Sequence, residues 1–322
     1  MPATADAHHL LIPFAGRSTP ACRAALAGLQ LPNLEALLAR LGPVDTDSAE
    51  TTTLSPPHER ALARALGLIA PDGRLPWAAW EAAQAGLTTA AAGEGWALVT
   101  LCHWDVAIDE VVLGDPANLP IDDAESRDLL AAARPFFGED GIVLYACATP
   151  GRWLAHCALF EGLATASLDR AAEQPISAWS AGTKDERVLR RLQNEMQMLL
   201  YTERVNDRRT ARGVPSINSF WLSGTGVLPE DADTGRAPPT VDARLRGPAL
   251  QDDGTAWATA WRALDAGPIA QLHAALARGE PVTLTLCGDR GAQRWQPQPR
   301  GLRTWFKSLF ARQRPSSVLD AL

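Results

Sequence analysis

Residues 205–226, VNDRRTARGVPSINSFWLSGTG, gather Asn206, Arg209, Asn218, Ser219 and Ser223 around a short apolar run that ends in Gly224-Thr225-Gly226. A Gly-x-Gly turn at a strand end lets backbone N–H groups approach an anion. Asn and Arg in the preceding loop add donors. Taken alone, the pattern is more often an ordinary polar loop with turn glycines. Ser18 and Thr19 follow the first apolar run. A hydroxyl there is a nucleophile only beside a base; otherwise it caps the turn before Pro20. His103 and Asp105 alternate along a strand-like run and so share a face, with Asp109 further along. Arg152 sits in a turn between two strand-like runs, as an anion contact or a solvated turn residue. Asp289-Arg290 follow a late strand-like run. The six His (8, 9, 58, 103, 156 and 273) form no HxH or HxxxH pair, which is poor material for a metal centre.

The elements that must position these groups follow from periodicity. HLLIPFAG (9–16) reads as a buried strand running into a Gly turn. PNLEALLARLG (32–42) is a helix with Pro32 in its first turn and one leucine stripe. Residues 45–57 are a polar loop, and 56–68 and 76–92 are helices. Residues 95–116 give two strands or one bent strand. Residues 122–137 make a helix with an acidic first turn, followed by strands over 141–148 and 149–159. The heptad-like apolar spacing of 183–203 gives a long helix, opened by a Thr183/Glu186 capping box. INSFWL (217–222) is a strand, 229–254 a long Pro/Gly-rich loop, 255–279 a helix interrupted near Gly267-Pro268, and 281–289 a strand. In 300–315, Leu302, Trp305, Phe306, Leu309 and Phe310 share one helical face amid Arg300, Arg303, Lys307, Arg312 and Arg314. Such a basic amphipathic helix packs on its own domain, docks on a partner, or lies on an anionic surface. Strands alternating with helices give an α/β class.

The spacing Asn206-x-x-Arg209-x-x-x-Gly213-x-x-x-x-Asn218-x-x-x-x-x-Gly224-x-Gly226 resembles the segment that joins the inserted lobe to the core in the archaeal-type cofactor-independent phosphoglycerate mutases. PIDDAESRDLL and GIVLYACATPGRWLAHC extend the resemblance more loosely over 96–204. It implies an alkaline-phosphatase-like sheet core flanked by helices, with a smaller α+β lobe inserted: core 1–95 and 215–322, lobe 96–214; the residue pattern itself adds the basic amphipathic C-terminal helix within 300–322. It also implies phosphoryl transfer on two divalent metals, which needs many Asp and His ligands. The chain departs from the family at both expected ligand sites. Pro13-Phe14-Ala15-Gly16 follows the first strand without a carboxylate, and Cys287-Gly288-Asp289-Arg290-Gly291 carries Arg where a His is expected. Arg does not ligate metal.

The expectation is therefore a mutase-like protein that has lost metal-dependent phosphoryl transfer and binds or regulates. Ser18 and Thr19 are relics of a nucleophile position. Arg152, Arg209, Asn218, Gly224, Gly226 and Arg290 line a cleft for a small anionic ligand, without a cofactor, and the tail helix serves a protein partner. One alternative is an active mutase or phosphatase that builds an unusual Mn²⁺ or Zn²⁺ site from Asp289, His103, Asp105 and Asp115. Another is an interaction scaffold without a ligand.

Composition bounds the rest. The chain has 322 residues, 46% of them apolar, and a net charge of −7. That acidity argues against nucleic acid as a partner, since such binding rests on phosphate neutralisation. Five scattered Cys (22, 102, 147, 157 and 287) form no CxxC pair or disulfide framework. With no basic leader or long apolar run, they suggest a reducing cytoplasm and no transmembrane segment.

Overall fold

A computed structural model describes residues 8–87, 95–179, 184–297 and 314–322. The chain folds as α/β in two units. Unit 1 comprises residues 1–52, 56–67 and 235–322; unit 2 comprises 53–55 and 68–234. The family resemblance places 68–95 and 215–234 with the core. They fall in unit 2 because a helix at Trp77–Gln84 and a strand at Ser219–Gly226 pack against the strand at Trp96–Cys102.

In unit 1 the strands are β1 (His9–Ile12), β2 (Leu41–Ser48), and further along the chain β9 (Thr240–Val241), β10 (Thr283–Cys287) and β11 (Gly291–Pro297). They form one mixed sheet in the order β2-β11-β10-β1-β9. β1 lies parallel to β10 and β9, while β11 is antiparallel to β10 and β2. The period-2 alternation of strands sends Leu10 and Ile12 to one face and Leu11 to the other. The first face is covered by α1 (Pro20–Ala27), α2 (Pro32–Leu38), α10 (Gly254–Leu264), α11 (Ala270–Ala277) and α12 (Pro315–Asp320). Their Leu34, Leu37, Trp257, Trp261, Leu272 and Leu319 make its core. On the second face Ala61 and Leu62 of α3 (Pro57–Leu66) pack on Leu11, Cys287 and Ala292. The break expected near Gly267-Pro268 is a π-type turn over Asp265–Ile269 between α10 and α11. Short α9 (Arg246–Leu250) interrupts the expected long loop.

In unit 2, β3 (Trp96–Cys102), β6 (Val143–Ala146), β7 (Arg152–His156) and β8 (Ser219–Gly226) form an antiparallel sheet ordered β6-β7-β3-β8. β4 (Trp104–Val106) and β5 (Val111–Leu113) make a separate hairpin. α5 (Asp123–Glu139), α7 (Lys184–Thr202) and α8 (Arg204–Ala211) cover one face through Phe137, Met196 and Val205. α4 (Trp77–Gln84) covers the other. Short α6 (Leu168–Ala171) lies beside the hairpin.

α5 begins with a capping box in which Asp122 accepts from Glu125 N and Glu125 accepts from Asp122 N, satisfying two end donors reciprocally. The corresponding box expected at Thr183/Glu186, and the amphipathic stretch 300–313, lie outside the described residues. The thiols are free. Burial pushes Cys22 and Cys147 up to about 11 and raises Cys102 and Cys287 further, as expected of packing groups rather than nucleophiles. No described helix is long and apolar enough to cross a membrane.

Candidate anion-binding crevice at the ends of β1 and β10

Adjacent parallel strands β1 and β10 both run into tight turns, and in open α/β sheets ligands sit outside such carboxyl ends. The β1 turn is clamped. Ala15 N donates to Cys287 O at 2.6 Å, and the Trp257 and Trp261 indoles donate to Phe14 O and Ala15 O at 3.1 and 3.2 Å. Phe14 is held at φ 56°, a left-handed conformation costing a side-chain-bearing residue about 1–3 kcal/mol. The clamp fixes where Arg17 and Ser18 emerge.

Asp289, leaving β10, is engaged by both. Arg17 Nη1 pairs with its Oδ1, while Ser18 N and Ser18 Oγ donate to its Oδ2 at 2.8 and 2.6 Å. Arg17 also donates to Ala249 O at 3.1 Å and lies over the Phe14 ring. A cavity of about 360 Å³ opens here, lined by Arg17, Ser18, Arg23, Asp289, Arg290 and Leu322. Arg23 reaches Asp320 at 3.4 Å, with both side chains more than half exposed, so the pair is weak. Arg290 has no carboxylate partner among the described residues.

These residues do not fit a divalent metal. Both Asp289 oxygens already accept hydrogen bonds, and guanidinium groups ring the cavity. Among the described residues no group of three or more His, Cys, Asp or Glu could hold an ion. Of the alternative ligand set, Asp289 belongs to unit 1, whereas His103, Asp105 and Asp115 belong to unit 2. His103 Nδ1 lies 2.7 Å from Ser216 O and so carries a hydrogen, and its Nε2 is 3.3 Å from Asp105. Asp115 is buried, accepting from Ala117 N at 3.1 Å.

The other expected ligand residues belong to unit 2 and are engaged within it, Arg209 keeping its Nη2 without a partner among the described residues. Arg209, only 1% exposed, donates to Pro215 O at 2.7 Å and to Pro120 O and Glu125 Oε2 at 2.8 Å. Asn218 donates to Trp104 O at 2.9 Å and accepts from Trp104 N at 2.7 Å, tying β4 to β8. Asn206 bridges Leu200 O, Ile217 O and Ile217 N. Arg152 pairs with Glu81 at 2.7 Å.

The glycines serve packing. Gly224 is at φ 62°, and a Cβ there would lie 3.1 Å from Trp77 Cβ; Gly226 is at φ 139°, against Arg74 O. Between them Thr225 donates to Leu163 O at 2.6 Å. The expected anion motif thus reads in the structure as a set of internal struts. Thr19 precedes α1 without capping it through its side chain.

No family model and no curated protein match the sequence. Among solved structures, the PH0037 protein of Pyrococcus horikoshii is similar at 14% identity and a TM-score of 0.42, over 89% of this chain and 86% of that one. The cofactor-independent phosphoglycerate mutase of Thermoplasma acidophilum is similar at 13% identity and a TM-score of 0.36, over 97% and 98%. Likeness at this level says nothing of activity.

The Ser18–Asp289 contact spans most of the chain and was invisible to local spacing. The traceable signal was two apolar runs each ending in Gly within four residues, Gly16 and Gly288. A roomier cavity of about 720 Å³ lies elsewhere, in unit 2, lined by Trp104, Trp179, Trp221 and Leu189 under the exposed Val106 and Ile108. Two of its polar linings are committed: Thr165 to Thr225, and Trp221 Nε1 to Ala166 O.

Proposed function

We propose that this is a phosphoglycerate-mutase-like protein that works by binding rather than by metal-assisted phosphoryl transfer, with unit 1 as its binding module. One observation carries the reading. Asp289, the carboxylate standing where the resembling enzymes draw ligands, is held on both oxygens by Arg17 and Ser18. A cation entering there would have to break a half-buried ion pair and two hydrogen bonds, and would face guanidinium charge besides. Ser18 lies on the same carboxylate, but Arg17 competes for it, and among the described residues no metal-ligand cluster stands beside it to stabilise a phosphoryl group.

The alternative active enzyme needs Asp289 as a ligand, so one experiment decides between them. Calorimetric titration of the full chain with Mn²⁺ and with Zn²⁺, paired with a phosphomonoester hydrolysis assay, is expected to give neither stoichiometric uptake nor turnover. Stoichiometric uptake with turnover, both lost in Asp289→Ala, would establish the enzyme instead.

A further inference from the structure

We propose that residues 315–322 are an internal pseudo-ligand in the β1/β10 crevice, and that a small oxyanion takes their place when they lift. This rests on the reading of unit 1 as a binding module and adds its ligand class and its regulation.

Arg290 N and Gly291 N, consecutive along the chain, both donate to the Leu322 backbone oxygen, at 2.8 and 2.9 Å. Successive backbone N–H groups converging on one point form a concavity suited to anions, so the Leu322 oxygen stands where an anion oxygen would. The floor is cut to let backbone approach. A Cβ on Gly16 would lie 2.1 Å from Leu319 O, and one on Gly288 would lie 2.6 Å from the Leu322 carbonyl carbon. Glycine is what permits close approach of a ligand to a chain; here the approaching group is the protein itself.

The surroundings favour negative charge. Arg17, Arg23 and Arg290 border the cavity beside the segment, against Asp289 and Asp320. Arg17 is neutralised by Asp289, which leaves the Arg290 guanidinium and the two N–H groups as the recognising set. An oxyanion in that set makes charge-assisted hydrogen bonds to both N–H groups and to the Arg290 guanidinium.

The segment's apolar anchors set how readily it is displaced, so weakening them is what should free the crevice. α12 spans only Pro315–Asp320, too short to persist on its own. It is anchored by Val318, Leu319 and Leu322 in the unit 1 core and by the exposed Arg23–Asp320 pair. The ligand shifts the equilibrium because it binds only the open form.

The test uses the full chain with inorganic phosphate, and sulfate as a second probe, read by calorimetry and by amide exchange at Arg290 and Gly291. Leu319→Asp, which places a charge in the core, is expected to release the segment and tighten phosphate binding at least tenfold. Gly16→Ala, which drives a methyl into Leu319 O, acts in the same direction without adding charge. Arg290→Glu in either background is expected to abolish the gain. Should Leu319→Asp fail to fold, Leu319→Ala gives a graded version in which affinity rises with the exchange rate of the two amides. If the parent protein binds phosphate as tightly as these variants, with both amides still protected by the docked segment, the pseudo-ligand idea fails while the binding module stands. If neither parent nor variants bind phosphate or sulfate, both ideas fall.

Discussion

A guanidinium withdrawn from water needs partners, and Arg209 finds them through Nε and Nη1 in two carbonyls and Glu125, itself 5% exposed at the side chain, while its buried Nη2 has none among the described residues. Arg212 reaches the other Glu125 oxygen. Removing Arg209 leaves Glu125 with Arg212 and Asp122 N but takes the donor from Pro120 O and Pro215 O, a loss of about 1–3 kcal/mol. Arg209→Met is therefore expected to lower stability by that amount in urea titration while leaving phosphate binding untouched. Lost binding at unchanged stability would restore Arg209 as an anion contact.

Asp252 makes a pH-dependent contribution. Partial desolvation pushes its pKa up, but the Thr19 hydroxyl and the Ala21 and Cys22 N–H groups outweigh that and bring it to about 2. Because the folded value lies below the unfolded one, its stabilisation is fully present above about pH 4 and is lost as pH falls through about 2. Asp252→Asn should cost about 1 kcal/mol at neutral pH, and the difference from wild type should vanish in acid. A gap that persisted at pH 2 would show that the carboxylate's charge is not what stabilises α1.

At the scale of elements, the buried runs 9–12, 96–102 and 283–287 declared themselves as strands because burial on both faces leaves a continuous apolar signal. β2 did not, and 45–48 had read as the start of a loop. Its sequence, LGPVDTDS, is polar for a reason that only the sheet supplies. It is an edge strand, where Pro and charge are expected, and its acidic residues face α3. Arg60 donates to Asp47 at 2.7 Å, and Arg64 reaches Asp47 and Asp45 at 2.6 and 3.6 Å. Residues 45 and 47 alternate onto one side, which is strand periodicity written in charge instead of hydrophobicity. Asp47→Asn removes the charge shared by two arginines and is expected to destabilise by about 1.5–3 kcal/mol. A double-mutant cycle with Arg60→Met should return most of that as coupling; a cycle that closes additively would mean the pair contributes nothing.

For the whole molecule, the sequence disclosed an α/β chain but not which sheet each strand would join. The Asn/Arg/Gly segment and Asp289 belong to different units, because local spacing records what lies within one loop and strand, whereas pairing partners are set by long-range burial. β8 joins β3 in register from Cys102–Ser219 to Trp96–Gly226, which buries Phe220 and Leu222 against α5 and α7 and makes unit 2 one continuous stretch of chain from 68 onward. Continuity has a consequence. Residues 68–234 hold their own antiparallel sheet, helices on both its faces, and a core running through Val99, Phe137, Trp153 and Phe220. Within unit 2, excision removes Leu54 N and Ser55 N donating to Asp72 at 2.9 and 2.8 Å, Gly73 N donating to Ser55 Oγ, Ser167 N donating to Leu54 O and Arg170 Nη2 donating to Thr53 Oγ1, the last three at 3.0 Å. Leu54 also packs beside the small cluster around Trp104 and Trp221, but the larger core does not include it. A protein comprising 68–234 is therefore expected to fold alone, with a cooperative thermal transition and a near-ultraviolet dichroism signal from the buried Trp153. Unit 1, closed from three separate pieces, should need the intervening chain to bring them together. An excised 68–234 that kept its helical signal but lost the Trp dichroism and melted without cooperativity would show that unit 2 depends on the rest of the chain.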